Sequence, residues 1–248
     1  MEETSTPIAT STATSTATPA PTPAATPVPT PECSTSEQLP GAAVGDIVTF
    51  GHYEQDNDTS NGKEAIEWQV LAVDGDKILV ISRYGLDTHR FDENYYLGWN
   101  KSEMRSWLNS TFLNEAFTAE EQARIVTTTV STPSYRGKPG GSDVEDKIWL
   151  LSREEVSSYF TSEGDRKTLP TEYAVARGAY QSDKLIGAEY CWWWLRSPGL
   201  EWSDASIVNS AGVLSISAVK NGIGVVRPAM WVSLESDVFQ SYVKDNEK

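Results

Sequence analysis

CWWWLRSPGLEWSDASIVNSAGVLSISAVKNGIGVVRPAMW, residues 191–231, decides the fold. Successive side chains on a strand point to opposite faces, so Trp192, Trp193 and Trp194 require both faces to be covered or used. Arg196 and Arg227 bracket the segment, and each precedes a strand-limiting proline. Trp192, Trp194, Arg196, Arg227 and Trp231 read as structural, with indoles and guanidinium groups stacked in a core seam. The spacing predicts strands over Trp192–Arg196, Ala205–Asn209, Val213–Val219 and Val225–Val232.

Between these anchors the composition changes. Leu200 to Asp204 and Lys220 to Ile223 mix an aromatic, acids, Asn, Ser, Lys and Gly in turn-like contexts. Recognition residues concentrate on loops held by a rigid scaffold. Trp202 is the leading candidate, because a loop Trp with small polar neighbours is typical of a binding hot spot. Asp204, Asn209, Ser215, Ser217, Lys220 and Asn221 are the polar partners expected beside it.

Upstream, Ile47–Phe50 is a short apolar strand. Glu67–Val73 and Lys77–Ser82 flank Asp74-Gly75-Asp76, a hairpin signal. Met104, Trp107, Leu108 and Phe112 recur at helical spacing, which predicts an amphipathic helix over 101–116. Asn100 and Glu103 stand at the spacing of its capping box. Thr118–Arg124 is a second short helix, Ile125–Val130 a β-branched strand, and Pro133–Glu145 a loop rich in Gly and Pro. Lys147–Leu151 reads as a strand. Ser152 and Glu155 form a capping box for a helix over 153–160, and Thr171–Arg177 is a further helix. Short helices early and antiparallel strands late define an α+β class with a twisted sheet.

Residues 1–43 differ in kind. Thr, Ser, Ala and Pro fill 29 of the first 38 positions. Such a stretch buries too little apolar surface to offset its ordering entropy, so it reads as a disordered, semi-rigid spacer. Thr/Pro spacers of this type hold a domain away from a wall or membrane, which points to an extracellular or cell-surface location. No basic and apolar signal segment follows Met1, so any signal or anchor lies upstream of it. One domain is expected over 44–235, with 236–248 as a polar tail.

The net charge is −15. Nucleic acid is excluded as a partner, since phosphate binding needs a basic footprint. No apolar run approaches the ~18 residues of a membrane-spanning helix, so direct membrane insertion is not expected. Two Cys and two His leave little room for zinc. His52 and His89 are isolated in sequence, no G-x-S-x-G string occurs, and the paired acids Glu120-Glu121 and Glu154-Glu155 suit helix starts. Cys191 is free and buried, or bridged to Cys33; spacing alone leaves both open. Asp56, Asp58, Ser60 and Glu67 partly match a calcium loop, but its glycine falls one position late, and a polar turn is the favoured reading. No enzyme activity, metal or cofactor is expected.

The motifs WWWLRSPG and VRPAMW, with VGDIVTFGHYEQDNDTSNGKEAIEWQVLAVDGDKILVISRYGLD and KIWLLSREEV, resemble a bacterial domain family of unknown function. That family is usual in surface or multidomain proteins of Gram-positive bacteria. The C-terminal third also looks like the formylglycine-generating-enzyme branch of the C-type lectin fold. It is similar as well to the variable proteins of diversity-generating retroelements. The resemblance implies a C-type lectin-like domain with a fixed framework at Trp193, Trp194, Leu195, Arg196, Ser197, Pro198, Gly199, Val208, Gly212, Arg227 and Pro228. It implies exposed, replaceable positions at Leu200 to Asp204, Ile207, Asn209, Ser215 to Ser217 and Lys220 to Ile223, among which Glu201, Trp202, Ser203, Asp204, Ile207, Asn209, Ser215, Ser217, Lys220, Asn221 and Ile223 are the expected ligand-binding residues. The Glu-Pro-Asn, Gln-Pro-Asp and Trp-Asn-Asp signatures of calcium-dependent sugar binding are absent, as is the C-terminal cysteine pair of the oxidase. The expected ligand is a protein, a peptide or a glycan.

Overall fold

The computed structural model describes residues 42–182, 189–234 and 240–241. All belong to the second of two units into which the chain divides, Ser36–Lys248. They form an α+β domain built on two five-stranded sheets and a few short helices. Residues 1–41, where the spacer is expected, lie outside the described residues.

The first sheet starts from a meander. β1 (Ile47–Tyr53), β2 (Glu64–Asp74) and β3 (Lys77–Ser82) pair antiparallel in chain order. The β2–β3 turn is the predicted one, with Gly75 at φ +60° in its first central position, as a II′ turn requires. β1 runs past Phe50 because a bulge lies between Thr49 and His52. Gly51 supplies the left-handed backbone there, and a Cβ on it would come within 2.4 Å of the Phe117 ring. The bulge shifts the buried phase from Val48 and Phe50 to Gly51 and Tyr53.

β4 (Asp87–Thr88) belongs to the second sheet. The helix over 103–116 is continuous but changes pitch: α1 (Glu103–Trp107), a π-helical stretch Leu108–Phe112, then α2 (Leu113–Ala116). It buries Met104, Leu108, Phe112, Leu113 and Ala116. Its cap is Ser102, whose Oγ accepts from the Arg105 amide at 3.1 Å. Asn100, the residue predicted to cap it, lies in the preceding 3₁₀ turn instead.

α3 (Ala119–Arg124) and α4 (Arg153–Tyr159) both start with complete capping boxes, Thr118/Glu121 and Ser152/Glu155. The β-branched run 125–130 forms a strand only at β5 (Thr128–Val130), which pairs with β6 (Val144–Asp146) at the end of the predicted loop Pro133–Glu145. Lys147–Leu151 is not a strand. Its backbone is satisfied piecemeal: Asn109 Oδ1 accepts from the amides of Lys147 and Ile148, and Trp149 exchanges two bonds with Ala229. α5 (Glu172–Ala176) is capped by Thr171.

β7 (Trp193–Pro198) is buried along its whole length. β8 (Asp204–Val208) and β9 (Leu214–Ala218) follow as an antiparallel meander. Of the predicted strand Val225–Val232, only its two ends are strands. β10 (Val225–Val226) joins β7 in parallel, whereas β11 (Ala229–Ser233) joins β3 in the first sheet. Arg227 and Pro228 make the crossing, where proline has no amide to give a ladder. β12 (Gln240–Ser241) pairs with β1, so the segment expected as a polar tail contributes a short strand. The sheet orders are β11-β3-β2-β1-β12 and β4-β10-β7-β8-β9.

One hydrophobic core runs through both sheets. Trp193 meets Phe160 edge-on, and Trp194 packs on Phe91 and Trp192. Each of the two indole N–H groups finds a carbonyl, that of Arg166 at 3.0 Å or His89 at 2.9 Å. Arg196 is 3% exposed. It donates to the carbonyls of Leu150 and Ser131, both at 2.8 Å, and makes a bidentate pair with Glu155. Truncating Arg196 leaves a cavity, takes the donor from the Leu150 and Ser131 carbonyls and strips the partly buried Glu155 of its partner. Arg196→Ala is expected to lower unfolding free energy by about 3 kcal/mol or more. Urea denaturation checks this, with Glu154→Gln on the exposed side of the same helix close to neutral.

Candidate functional site

Loop 199–204 leaves β7 and returns into β8. It is closed at its neck, where the Gly199 amide donates to the Asp204 carbonyl at 3.0 Å and the Asp204 amide to that of Glu201 at 3.1 Å. Gly199 is required by this closure, since a Cβ there would lie 2.4 Å from that of Asp204. The loop presents Leu200, Glu201, Trp202 and Ser203 to solvent, with Trp202 46% exposed.

Two further segments meet the loop. The Tyr96 amide donates to the Trp202 carbonyl at 2.6 Å, which sets Tyr95 and Leu97, each 59% exposed, beside it. Tyr96 itself turns inward and donates its hydroxyl to the Arg196 carbonyl at 2.6 Å. The second segment is a tight hairpin in which Tyr135 and Lys138 exchange backbone bonds across Arg136 and Gly137. Both central residues have positive φ, +51° and +78°, as a I′ turn demands. Lys138 lies over the Trp202 ring at 4.7 Å and within 3.9 Å of Glu201. Its ammonium and the indole face attract each other, which restrains Trp202 without covering it.

Lys220 to Ile223 belong to the same end of the sheet. The Val219 amide donates to the Ser203 carbonyl at 2.8 Å, and Asn221 Nδ2 reaches Ser217 Oγ at 3.2 Å. Ile223 is exposed beside Tyr180, whose amide donates to its carbonyl. Glu201, Trp202, Ser203, Asp204, Ser217, Lys220, Asn221 and Ile223 therefore share one end of the β8–β9 meander. Nearby, burial pushes the Asp92 carboxyl above its ordinary value.

Three predicted positions depart from this group. Ile207 is 6% exposed, because β8 is covered on both faces. It faces Trp194 across the ladder, and the neighbouring Ser206 is covered by Arg153. Ile207 is therefore a core residue, which corrects its expected place on the surface. Asn209 and Ser215 stand toward the opposite end of the meander. Asn209 Oδ1 accepts from the amides of Ala211 and Val213, both at 3.0 Å, so it shapes the turn. Ser215 gives its carbonyl to Arg153 Nη1 at 3.0 Å. All eleven framework positions are buried, and a Cβ on Gly212 would collide with the Glu163 carbonyl at 1.8 Å.

Tyr95, Leu97, Tyr135, Arg136 and Lys138 were not legible as neighbours of Trp202. The Tyr135–Lys138 turn lacks the Asn-Gly or Asp-Gly pair that marks a I′ hairpin, and Tyr95 and Leu97 carry only an alternation around Tyr96.

The remaining reactive groups are dispersed. His89 stacks on Trp107 at 5.0 Å, and its Nδ1 lies 2.6 Å from the Arg90 carbonyl. His52 is exposed on β1. Among the described residues, neither imidazole is bonded to a carboxylate, hydroxyl or thiol. Cys191 is a free, buried thiol, and Cys33 lies outside the described residues.

Fold and surface define a small α+β domain with two antiparallel-dominated sheets and an exposed aromatic loop at the end of one of them. A family model described as Domain of unknown function (DUF6273) matches residues 75–234, well over half of the chain, and the protein belongs to that family. No curated protein and no solved structure matches the chain. The match begins in the β2–β3 turn and takes in loop 199–204, the 135–138 hairpin and both arginines of the core. No described helix is long and apolar enough to cross a membrane.

Burial pushes the Cys191 thiol up to about 12. Folding thus lowers the thiolate available at Cys191, quite apart from steric exclusion. In a Cys33→Ser background at pH 8, Cys191 is expected not to react with a chromogenic disulfide reagent until urea unfolds the chain. Rapid native labelling contradicts its burial.

Proposed function

We propose that this domain is a non-catalytic binding module that presents loop 199–204 and its neighbours to a protein or peptide ligand. One observation carries the reading: Trp202 is held exposed on a closed loop, among Tyr95, Leu97 and Leu200, with Lys138 against its ring. Large aromatic side chains restrained before binding give contact area at low entropic cost. Exposed apolar side chains on the segments bonded to this loop, with Lys138 and Glu201 beside the indole, suit the anatomy of a recognition patch, with an apolar centre and charged neighbours. Glycan binding through stacking on Trp202 is the competing ligand class. A spacer role within a larger surface protein is the competing function.

The reading extends to the scaffold and its setting. The domain is a C-type lectin-like scaffold displayed at the cell surface on the Thr/Pro-rich segment, with the loop positions open to diversification. Support comes from the division between buried framework and exposed loop residues, and from the composition of residues 1–43.

Peptide and glycan arrays probed with the native chain and Trp202→Ala test the binding reading. The variant is expected to lose roughly 30-fold in affinity, the scale of a hot-spot truncation, while its melting temperature shifts by less than about 3 °C. Equal binding by both proteins overturns the role of Trp202, and the absence of any ligand on both arrays favours the spacer reading. Diversification predicts a second, near-identical copy of the DNA encoding residues 195–228, beside a reverse-transcriptase gene and differing only where that copy has adenine.

A further inference from the structure

We propose that Glu54, Asp56 and Glu64 form a calcium site at the mouth of the β1–β2 hairpin. This inference is independent of the binding surface above, and the site lies outside the segment matched by the family model.

Tyr53 ends β1 and pairs with Glu64, the first residue of β2. Glu54 follows directly, and Asp56 comes two residues later. The ladder thus brings three carboxylates together at the base of a ten-residue loop, each with an oxygen within 4.8 Å of the others. Oxygens on opposite sides of a calcium ion stand roughly 4.6–5.2 Å apart, twice the Ca–O bond length. One ion therefore fits the cluster. An all-oxygen set with no imidazole or thiolate suits a hard cation.

A second observation points to a ligand. Glu54 is only 8% exposed, and its Oε1 is buried with no hydrogen-bond partner. A buried carboxylate oxygen in that state is costly, and more so beside two other acids. A bound cation supplies the missing partner and offsets the repulsion among the three acids.

The other two ligands are already oriented. Asp56 accepts from the Asp58 amide at 2.8 Å and from Asn61 Nδ2 at 2.7 Å. Glu64 Oε2 accepts from the amides of Gln55 at 2.6 Å and Asp56 at 3.3 Å. Hydrogen bonds of this kind behind a carboxylate fix its direction toward a metal. The ligand set differs from the calcium-loop pattern read along Asp56–Glu67. Asp58 is turned to Ser60, and Glu67 pairs with Arg83 at 2.6 Å.

Titration calorimetry of the full chain after chelator treatment, with calcium chloride and in parallel magnesium chloride, tests the site. One calcium per chain is expected, together with a melting temperature that rises with calcium concentration. Glu54→Gln is expected to weaken calcium binding on the order of tenfold or more, because affinity follows ligand charge. Asp56→Asn, at an exposed position, gives the same loss if the buried variant does not fold. Glu120→Gln and Trp202→Ala retain native affinity, which separates this site from the proposed binding surface. No heat and no calcium-dependent melting at millimolar calcium overturns the proposal, as does native affinity in Asp56→Asn. A magnesium response equal to that of calcium overturns the choice of ion.

Discussion

Arg196 places a positive charge where water does not reach, and the surrounding structure satisfies both of its Nη groups, leaving its Nε without a hydrogen bond. Desolvating a guanidinium costs several kcal/mol unless partners replace its hydration, roughly as continuum and mutational comparisons indicate. Here the partners come from separate parts of the chain. Glu155 supplies both carboxylate oxygens, and Leu150 and Ser131 supply carbonyls. The Arg196 amide bonds the Leu151 carbonyl, and its own carbonyl takes the Tyr96 hydroxyl. Glu155 is in turn fixed by the Ser152 capping box, so one carboxylate closes a helix end and neutralises the arginine. Residues 96, 131, 150–155 and 196 are thereby locked in register. The irregular course of Lys147–Leu151 accords with this, because its carbonyls are shared out between the Asn109 and Arg196 side chains and single amides of β7 and β11, with no continuous ladder to one strand.

Arg227 solves the same problem differently. Among the described residues it has no carboxylate partner, and its Nη1 is buried without a hydrogen bond: its Nε donates to the Ser82 carbonyl at 2.7 Å, and its charge lies against the rings of Trp193 and Phe160 at 5.1 and 5.5 Å. Burial holds its pKa down to about 10. The position is the point at which the chain leaves the second sheet for the first. Pro228 accepts from the Ser82 amide, so Ser82 is bonded on both sides by the crossing residues. Ser82 of β3 and the aromatic seam thus join the crossing to the core that the two sheets share, and the tryptophan run serves this interior.

The exposed loop depends on that interior without taking part in it. Tyr96 links the two, with its hydroxyl on Arg196 and its amide on Trp202. Three segments separated by dozens of residues thus converge at one end of the β8–β9 meander. Asp204 belongs to the neck of the loop, where it receives the Ser203 hydroxyl at 3.2 Å as well as closing the backbone. Its role is positional, whereas Trp202, Lys220 and Ile223 face solvent.

Local chemistry alone determined much of this protein. The Gly75 hairpin, the Ser152 capping box, the Thr171 helix start and the β7–β8–β9 meander follow from turn residues, caps and side-chain alternation, which act over a few residues. The burial of Trp192–Trp194 and the exposure of Trp202 followed from the same patterns. Tertiary structure decided the rest. It split Val225–Val232 between two sheets, moved the helix cap from Asn100 to Ser102 and denied Lys147–Leu151 a strand. It also buried Ile207, added Gln240–Ser241 to β1, and gathered Tyr95, Leu97 and Lys138 around Trp202. In each case a partner distant in sequence settled the outcome. Backbone groups and buried charges must be satisfied by whatever the fold brings near, and a one-dimensional pattern does not specify that neighbour.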